Sequence, residues 1–257
     1  MMQKKSEIKK ETFKNNCNSI KLLNPNMSKY NVEKIAEQIS CTNLLFELDD
    51  IQNWIKNKKD NFKTQVNQYP INNMREWEVK KNGSIEHSSG KFYKIIGVKV
   101  GPNSDREVKK TGWEQPLIKE YNNIGGLLGL IRTKIEGLPH YLIQAKFEPG
   151  NYGIFQLSPT LQATFSNINK IHGGNPPHYF NYFKDYKIKK NYLFNYWFAE
   201  DGGRFYKKRN LALIKYVDYK TIPIVNDNFT WMSLYQVQKL IKSNSQVNPH
   251  LLRLIFQ

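Results

Sequence analysis

The sequence predicts an α+β fold in which a mixed β-sheet core is flanked by helices. Three observations carry that expectation. The run 138–167, LPHYLIQAKFEPGNYGIFQLSPTLQATFSN, alternates polar and apolar residues as two successive half-buried strands. EWEVKKNGSIEH places Asn82-Gly83 between two short alternating runs, a hairpin signal in which both central turn residues need positive φ. Apolar residues recur at helical spacing near both chain ends.

In chain order, residues 1–28 are polar and rich in Lys and Asn, which suggests a partly ordered arm. One domain is expected over 29–257, with a helical part at 29–70 and the sheet with its closing helices at 71–257. The first helix spans about Asn31 to Ile39. The second spans about Leu44 to Val66, where Ile51, Trp54, Ile55, Phe62 and Val66 share a face opposite the solvated Lys56, Lys58 and Lys59. The sheet begins near Trp77 and continues through the hairpin and KFYKIIGVKV (91–100). WEQPLI (113–118) and IGGLLGLIRTKI (124–135) follow, then the two alternating strands. Beyond the loop IHGGNPPHY, strands are expected over NYLFNYWF (191–198) and NLALIKYV (210–217). Thr230 is a candidate N-cap for a helix presenting Trp231, Leu234, Val237, Leu240 and Ile241. Asn248-Pro249 opens a last short helix, with proline accommodated in its first turn.

Composition narrows the function classes. The 257 residues are 39% hydrophobic and 13% aromatic, which suits a folded domain with a real core. No apolar run approaches the roughly 18 residues a membrane span needs. The N-terminus MMQKKSEIKK lacks the apolar centre of a signal peptide. Cys17 and Cys41 are too few for a disulfide framework or zinc cluster, so a cytoplasmic, reduced protein is expected. The net charge of +17 would suit a polyanion. The lysines are nevertheless spread along the chain, and no zinc-finger, RNP or helix-turn-helix pattern accompanies them, so neither nucleic acid nor membrane is expected as partner.

The polar face of the strand around 155–165 is unusual in so basic a chain. Gln156, Ser158, Thr160, Gln162 and Thr164 carry no charge. Hydroxyls and amides in a row suit a pocket for a polyhydroxylated ligand, the alternative being an ordinary outer face. On the preceding strand His140, Gln144, Lys146 and Glu148 share one face, opposite Tyr141, Ile143, Ala145 and Phe147.

Several segments in order resemble the NDP-hexose 2,3-dehydratase family. They are HSSGKFYKIIGVKV (87–100), WEQPLIKE (113–120), GGLLGLI (125–131), the run 138–167, AEDGGRFYKKRN (199–210), and WMSLYQVQKLI with VNPHLLRLI (231–255). QAKFEPGN and SPTLQATFSN are the specific pieces. The resemblance implies a Nudix-hydrolase-like fold used without hydrolysis. A metal-dependent pyrophosphatase would need a helix of clustered glutamates, and no G-x5-E-x7-R-E-x2-E-E pattern occurs. Many members look like a tandem duplication; this chain resembles one copy, which implies either a homodimer or a copy that binds sugar nucleotide without turning it over.

The implied substrate is an NDP-4-keto-6-deoxyhexose, carried on dTDP or alternatively GDP or CDP. Its C4 ketone acidifies the C3 proton; removing that proton and expelling the C2 hydroxyl leaves a 3,4-diketo-2,6-dideoxy sugar with no redox cofactor. The implied catalytic candidates are His140, Lys146 and Glu148. The alternatives are a structural histidine, a Lys146–Glu148 surface pair and a turn-shaping Glu148. For the diphosphate the candidate is Arg204 beside Gly202-Gly203, after Glu200 and Asp201, or else a surface arginine on a hairpin. Gln144, Gln156, Thr160, Gln162 and Asn167 are candidates for sugar and base hydrogen bonds, and Trp113 and Tyr93 for nucleobase stacking. His87 and His172 lie in loops that could line the site.

Overall fold

The computed structural model describes residues 2–102, 111–120, 125–170, 173–243 and 245–257. It has the expected α+β architecture. The first residues, expected as a partly ordered arm, form α1, which spans Met2–Leu23. Phe13, Cys17 and Ile20 recur along one side of it and seat against Ala36, Leu138 and Leu44. Ser28 caps α2 (Lys29–Ile39), and α3 occupies Leu48–Asp60, shorter than the apolar periodicity suggests.

Two sheets follow. The smaller has order β1-β2-β3-β4, with β1 Trp77–Val79, β2 Ile85–His87, β3 Lys94–Val100 and β4 Trp113–Lys119. Its hairpin turns more widely than Asn82-Gly83 implied. Lys80 N–H reaches the Ser84 carbonyl at 2.8 Å, and of the two central residues only Gly83 has positive φ (80°). That is the three-residue loop with glycine in the left-handed position. The small sheet joins the rest of the chain through Ile118, whose backbone bonds Arg204 and Tyr206 at 2.8 Å each.

The larger sheet has seven strands. Its spine is β11 (Phe229–Met232), β6 (Leu138–Phe147), β5 (Gly126–Ile135), β10 (Arg209–Tyr216) and β9 (Phe194–Ala199), with β10 parallel to β5 and the other pairings antiparallel. The single strand expected over 155–165 is two, β7 (Phe155–Ser158) and β8 (Leu161–Thr164), broken at Pro159, and Phe165 already starts the short helix α4 (Phe165–Ile168). Strand β7 pairs with the end of β6 and β8 with the start of β5. The two central strands therefore part beyond the Ile131–Leu142 pair, and the chain crosses the fork at Pro159-Thr160. Thr160 Oγ closes the fork, accepting from Ile131 N–H at 3.0 Å and donating to the Leu142 carbonyl at 2.5 Å.

Apolar layers cover both faces of this sheet, so β5 and most of β6 are buried on both sides rather than half-buried. One layer holds α3, α5 (Leu234–Ile241) and α6 (Pro249–Ile255) against Leu128, Leu130, Tyr141 and Ile143. The other holds Ile168, Tyr179, Phe183 and Ile222 against Leu127, Ile131, Leu142 and Trp231. Thr230 and Trp231 belong to β11; the cap of α5 is Ser233, which forms a capping box with Gln236. Asn248 caps α6 with Pro249 in its first turn, as expected.

Close strand approach at the fork depends on Gly126. A Cβ there would lie 2.5 Å from the Ala163 carbonyl oxygen, a backbone atom that cannot swing aside. Gly126→Ala is expected to cost about 1–3 kcal/mol, read as a lower urea midpoint at unchanged m-value.

Candidate active site

The fork creates a polar cavity of about 170 Å³ at one end of the large sheet. It is lined by Lys146 and Glu148 at the end of β6, by Gln162, Thr164 and Asn167 on β8 and α4, by Lys208 and Asn210 at the start of β10, and by His250 of α6. Lys146 reaches across the fork: its Nζ donates to the Gln162 carbonyl at 2.9 Å and pairs with Glu148 Oε1 at 3.1 Å. Gln162 Nε2 donates to both Glu148 oxygens, at 3.1 and 3.3 Å. Its Oε1 is buried and finds no hydrogen-bond partner among the described residues. Lys208 is paired with Glu120 at 2.5 Å.

Glu200, one residue past β9, lies behind this wall. Its carboxylate accepts from Asn210 Nδ2 at 2.5 Å and from Arg253 Nη1 at 3.1 Å, and stands 3.5 Å from His250 Nε2. Burial lowers the His250 pKa from its ordinary value, with Glu200 pulling in the opposite direction. The cavity thus combines cations, a carboxylate and an imidazole with amides and a hydroxyl, with a second carboxylate behind the wall, the inventory for binding a polar ligand and moving a proton.

Of the three residues expected to act in catalysis, the structure brings Lys146 and Glu148 together. His140 lies elsewhere. It is six residues back along β6, roughly 20 Å at strand rise, and only 1% exposed. Its Nδ1 contacts the Leu138 carbonyl at 3.0 Å. Burial draws its pKa down to about 4, so this histidine is neutral in the fold. A depressed folded pKa means stability present above the unfolded value near 6.5 and lost as pH falls through about 4. The expected loss is on the order of 3 kcal/mol, read by urea denaturation at pH 7 and pH 4 and absent in His140→Gln.

Among the expected ligand-binding residues, Gln162, Asn167 and Glu200 fall in or behind the cavity. Thr160 is 1% exposed and held by backbone bonds at the fork. Gln156 is tied to the α6 end, donating to the Ser245 carbonyl at 2.9 Å and accepting from Asn248 at 3.2 Å. Gln144 is half-buried between β7 and β11 and does not line the cavity. Arg204 is solvent-facing, its side chain 80% exposed and its Nε 3.8 Å from the Asp201 carboxylate. Trp113 belongs to β4 of the small sheet, where its Nε1 donates to Gln115 at 2.8 Å. Tyr93 is exposed beside Trp77, and His87 packs on Phe92 and contacts Glu76; neither reaches the cavity. His172 lies outside the described residues.

His250, Asn210 and Lys208 are the polar cavity residues not singled out in the sequence; Thr164 belongs to the uncharged row expected to line a pocket, and Leu128 and Ala163 complete the lining. The signal for His250 was present in VNPH, where the Asn248 cap fixes the first turn that presents it. Among the described residues no cluster of His, Cys, Asp and Glu side chains is placed to hold a metal ion, and no helix is long and apolar enough to cross a membrane.

The profile described as NDP-hexose 2,3-dehydratase matches residues 48–256. The chain is 32% identical over 223 residues to a dTDP-4-dehydro-6-deoxy-α-D-glucopyranose 2,3-dehydratase of Amycolatopsis orientalis, covering 84% of this chain and 46% of that protein. It is 30% identical over 215 residues to the Saccharopolyspora spinosa protein of the same description, covering 83% and 43%. The Streptomyces violaceoruber protein of that description matches at 30% over 196 residues, covering 76% and 43%. The chain spans about half the length of the curated relatives it matches.

Proposed function

The chain belongs to the NDP-hexose 2,3-dehydratase family, and from that premise we propose that its fork cavity removes the C2 hydroxyl of an NDP-4-keto-6-deoxyhexose. The preferred substrate is the dTDP-4-keto-6-deoxyglucose named for its relatives. The observation that carries this reading is the placing of Lys146, Glu148, Gln162 and Asn167 around one small polar cavity. At about 170 Å³ it is smaller than the roughly 300–1,000 Å³ of pockets that enclose drug-sized ligands. The sugar ring suits that space, and the nucleotide lies outside it.

Loss of the C3 proton makes an enolate whose charge gathers on O4. Lys146 Nζ is the cation placed to meet it, and a donor fixed in advance at such an oxygen contributes strongly to the rate. Glu148, held by Lys146 and Gln162, accepts hydrogen bonds from sugar hydroxyls. Gln162 Oε1 and the Asn167 and Asn210 side chains supply further partners. Lys208, on the cavity wall, takes the diphosphate role first expected of Arg204, exchanging Glu120 for phosphate. Collapse of the enolate expels the C2 hydroxyl, and the resulting enol tautomerises to the 3,4-diketone. Oxidation at C3 is matched by loss of oxygen at C2, so the reaction needs no redox cofactor.

Incubation with dTDP-4-keto-6-deoxyglucose, followed by mass analysis, tests this. Loss of one water from the sugar nucleotide is expected; full recovery of substrate, with the GDP and CDP analogues also unchanged, would refute it. A cytoplasmic homodimer belongs to the same proposal, and light scattering in solution would give twice the chain mass.

A further inference from the structure

Elimination needs a group that takes a proton from C3 and a proton for the departing hydroxyl. Glu148 is engaged by Lys146 and Gln162. Lys146 and Lys208 are the cations of the cavity wall, each paired with a glutamate, and the remaining acid–base side chain lining it among the described residues is His250. The geometry points to His250 as the residue that removes the C3 proton, with Glu200 as the positioning residue that holds its ring; this rests on the dehydratase reading.

The surroundings of His250 favour that role. Glu200 is fixed from two sides, by Asn210 of β10 and Arg253 of α6, so its carboxylate is a rigid partner 3.5 Å from Nε2. Nδ1 is enclosed and finds no hydrogen-bond partner among the described residues, so Nε2, beside Glu200, is the nitrogen left to accept the C3 proton. His140 differs: it also buries a ring nitrogen, but among the described residues it is not one that lines this cavity, and its ring answers to burial and the Leu138 carbonyl. The charged groups around His250 are Glu200, Arg253, Glu148 and Lys208, and burial keeps the ring neutral and able to accept.

In the step, the C3 proton passes to the imidazole while the C3–H electron pair enters the C3–C4 enolate, its oxygen against Lys146. The enolate re-forms the C4 carbonyl and makes a C2–C3 double bond. The C2–O bond breaks, and the hydroxyl leaves as water with the proton returned by the imidazolium, which Glu200 stabilises meanwhile.

Elimination, C3–deuterium exchange and dTDP-sugar affinity in wild type, His250→Asn and Glu200→Gln test the assignment. His250→Asn is expected to lose about 10²–10⁴-fold in both exchange and elimination, with affinity within about threefold of wild type. Glu200→Gln is expected to lower kcat by about tenfold, because the imidazolium loses its counter-charge, and to move the acid limb of the rate profile to lower pH, because losing the carboxylate lowers the pKa of the neutral base. A merely structural Glu200 would reduce the rate without moving the limb, and that would overturn its role. An active wild type with an equally active His250→Asn would overturn the base assignment alone. A wild type that neither exchanges nor eliminates would overturn the dehydratase reading and the assignment with it. Retained dTDP-sugar binding and a normal melting temperature in His250→Asn exclude misfolding as the cause of its loss.

Discussion

Replacing Lys146 with methionine is expected to lower elimination by about 10²–10³-fold, the cost typical of deleting one donor aimed at a developing oxyanion. Methionine keeps the length and apolar stem but supplies neither charge nor N–H. The same change removes the ion pair to Glu148 and the bond to the Gln162 carbonyl across the fork. Some loss of stability should therefore accompany the loss of rate. The two separate experimentally, since a fork that only loosened would weaken substrate binding, whereas a lost enolate donor lowers kcat with KM little changed. Single-turnover product formation at saturating substrate reads the chemical step directly. Arginine at the same position would keep the charge but not the point geometry, so partial recovery is expected.

The second large effect lies far from the cavity. Arg132 of β5 is 2% exposed and meets two glutamates of α2: Glu33 at 3.0 Å and Glu37 in a shorter contact. Tyr141 donates to Glu37 at 2.8 Å, and Lys134 also pairs with Glu33. Burial pushes the Glu37 carboxyl upward against the pull of Arg132, and it draws Lys34 of the same helix down to about 8. Such a network pins α2 to the sheet at a high desolvation cost. Glu37→Ala leaves part of the guanidinium buried without its counter-charge and strands the Tyr141 hydroxyl, so a loss of about 3–5 kcal/mol is expected in urea unfolding. The double replacement Glu37→Leu with Arg132→Met should be less damaging than Glu37→Ala alone, because it removes both buried charges together. If the double variant were the weaker, the pair would be a net source of stability.

Local chemistry made much of this fold legible in the sequence. Asn248-Pro249 marked the start of α6, and the alternation of 138–147 marked β6. Where several strands converge the signals competed. Pro159 breaks what reads as one alternating run, since it cannot donate to a ladder, and the break sends β7 and β8 to different neighbours. The polar row was thereby divided: Thr160 and Gln156 went to structural bonds, while Gln162 and Thr164 kept the cavity. The buried network was hidden for another reason. Glu33, Lys34 and Glu37 on a short helix read as a solvated face until the partner strand is known. Helix α1 was obscured by its many polar residues, because three apolar positions suffice to seat it. His250 meets the cavity through the folding of α6 over β5 and β10, a contact that for β5 spans more than a hundred residues of chain.

The central claim is tested most directly by proton NMR of the full chain with dTDP-4-keto-6-deoxyglucose in D₂O. The account predicts loss of the C3 proton signal together with formation of a product lacking one water. Persistence of that signal while the sugar nucleotide binds would contradict it and leave a receptor for sugar nucleotides in place of a dehydratase.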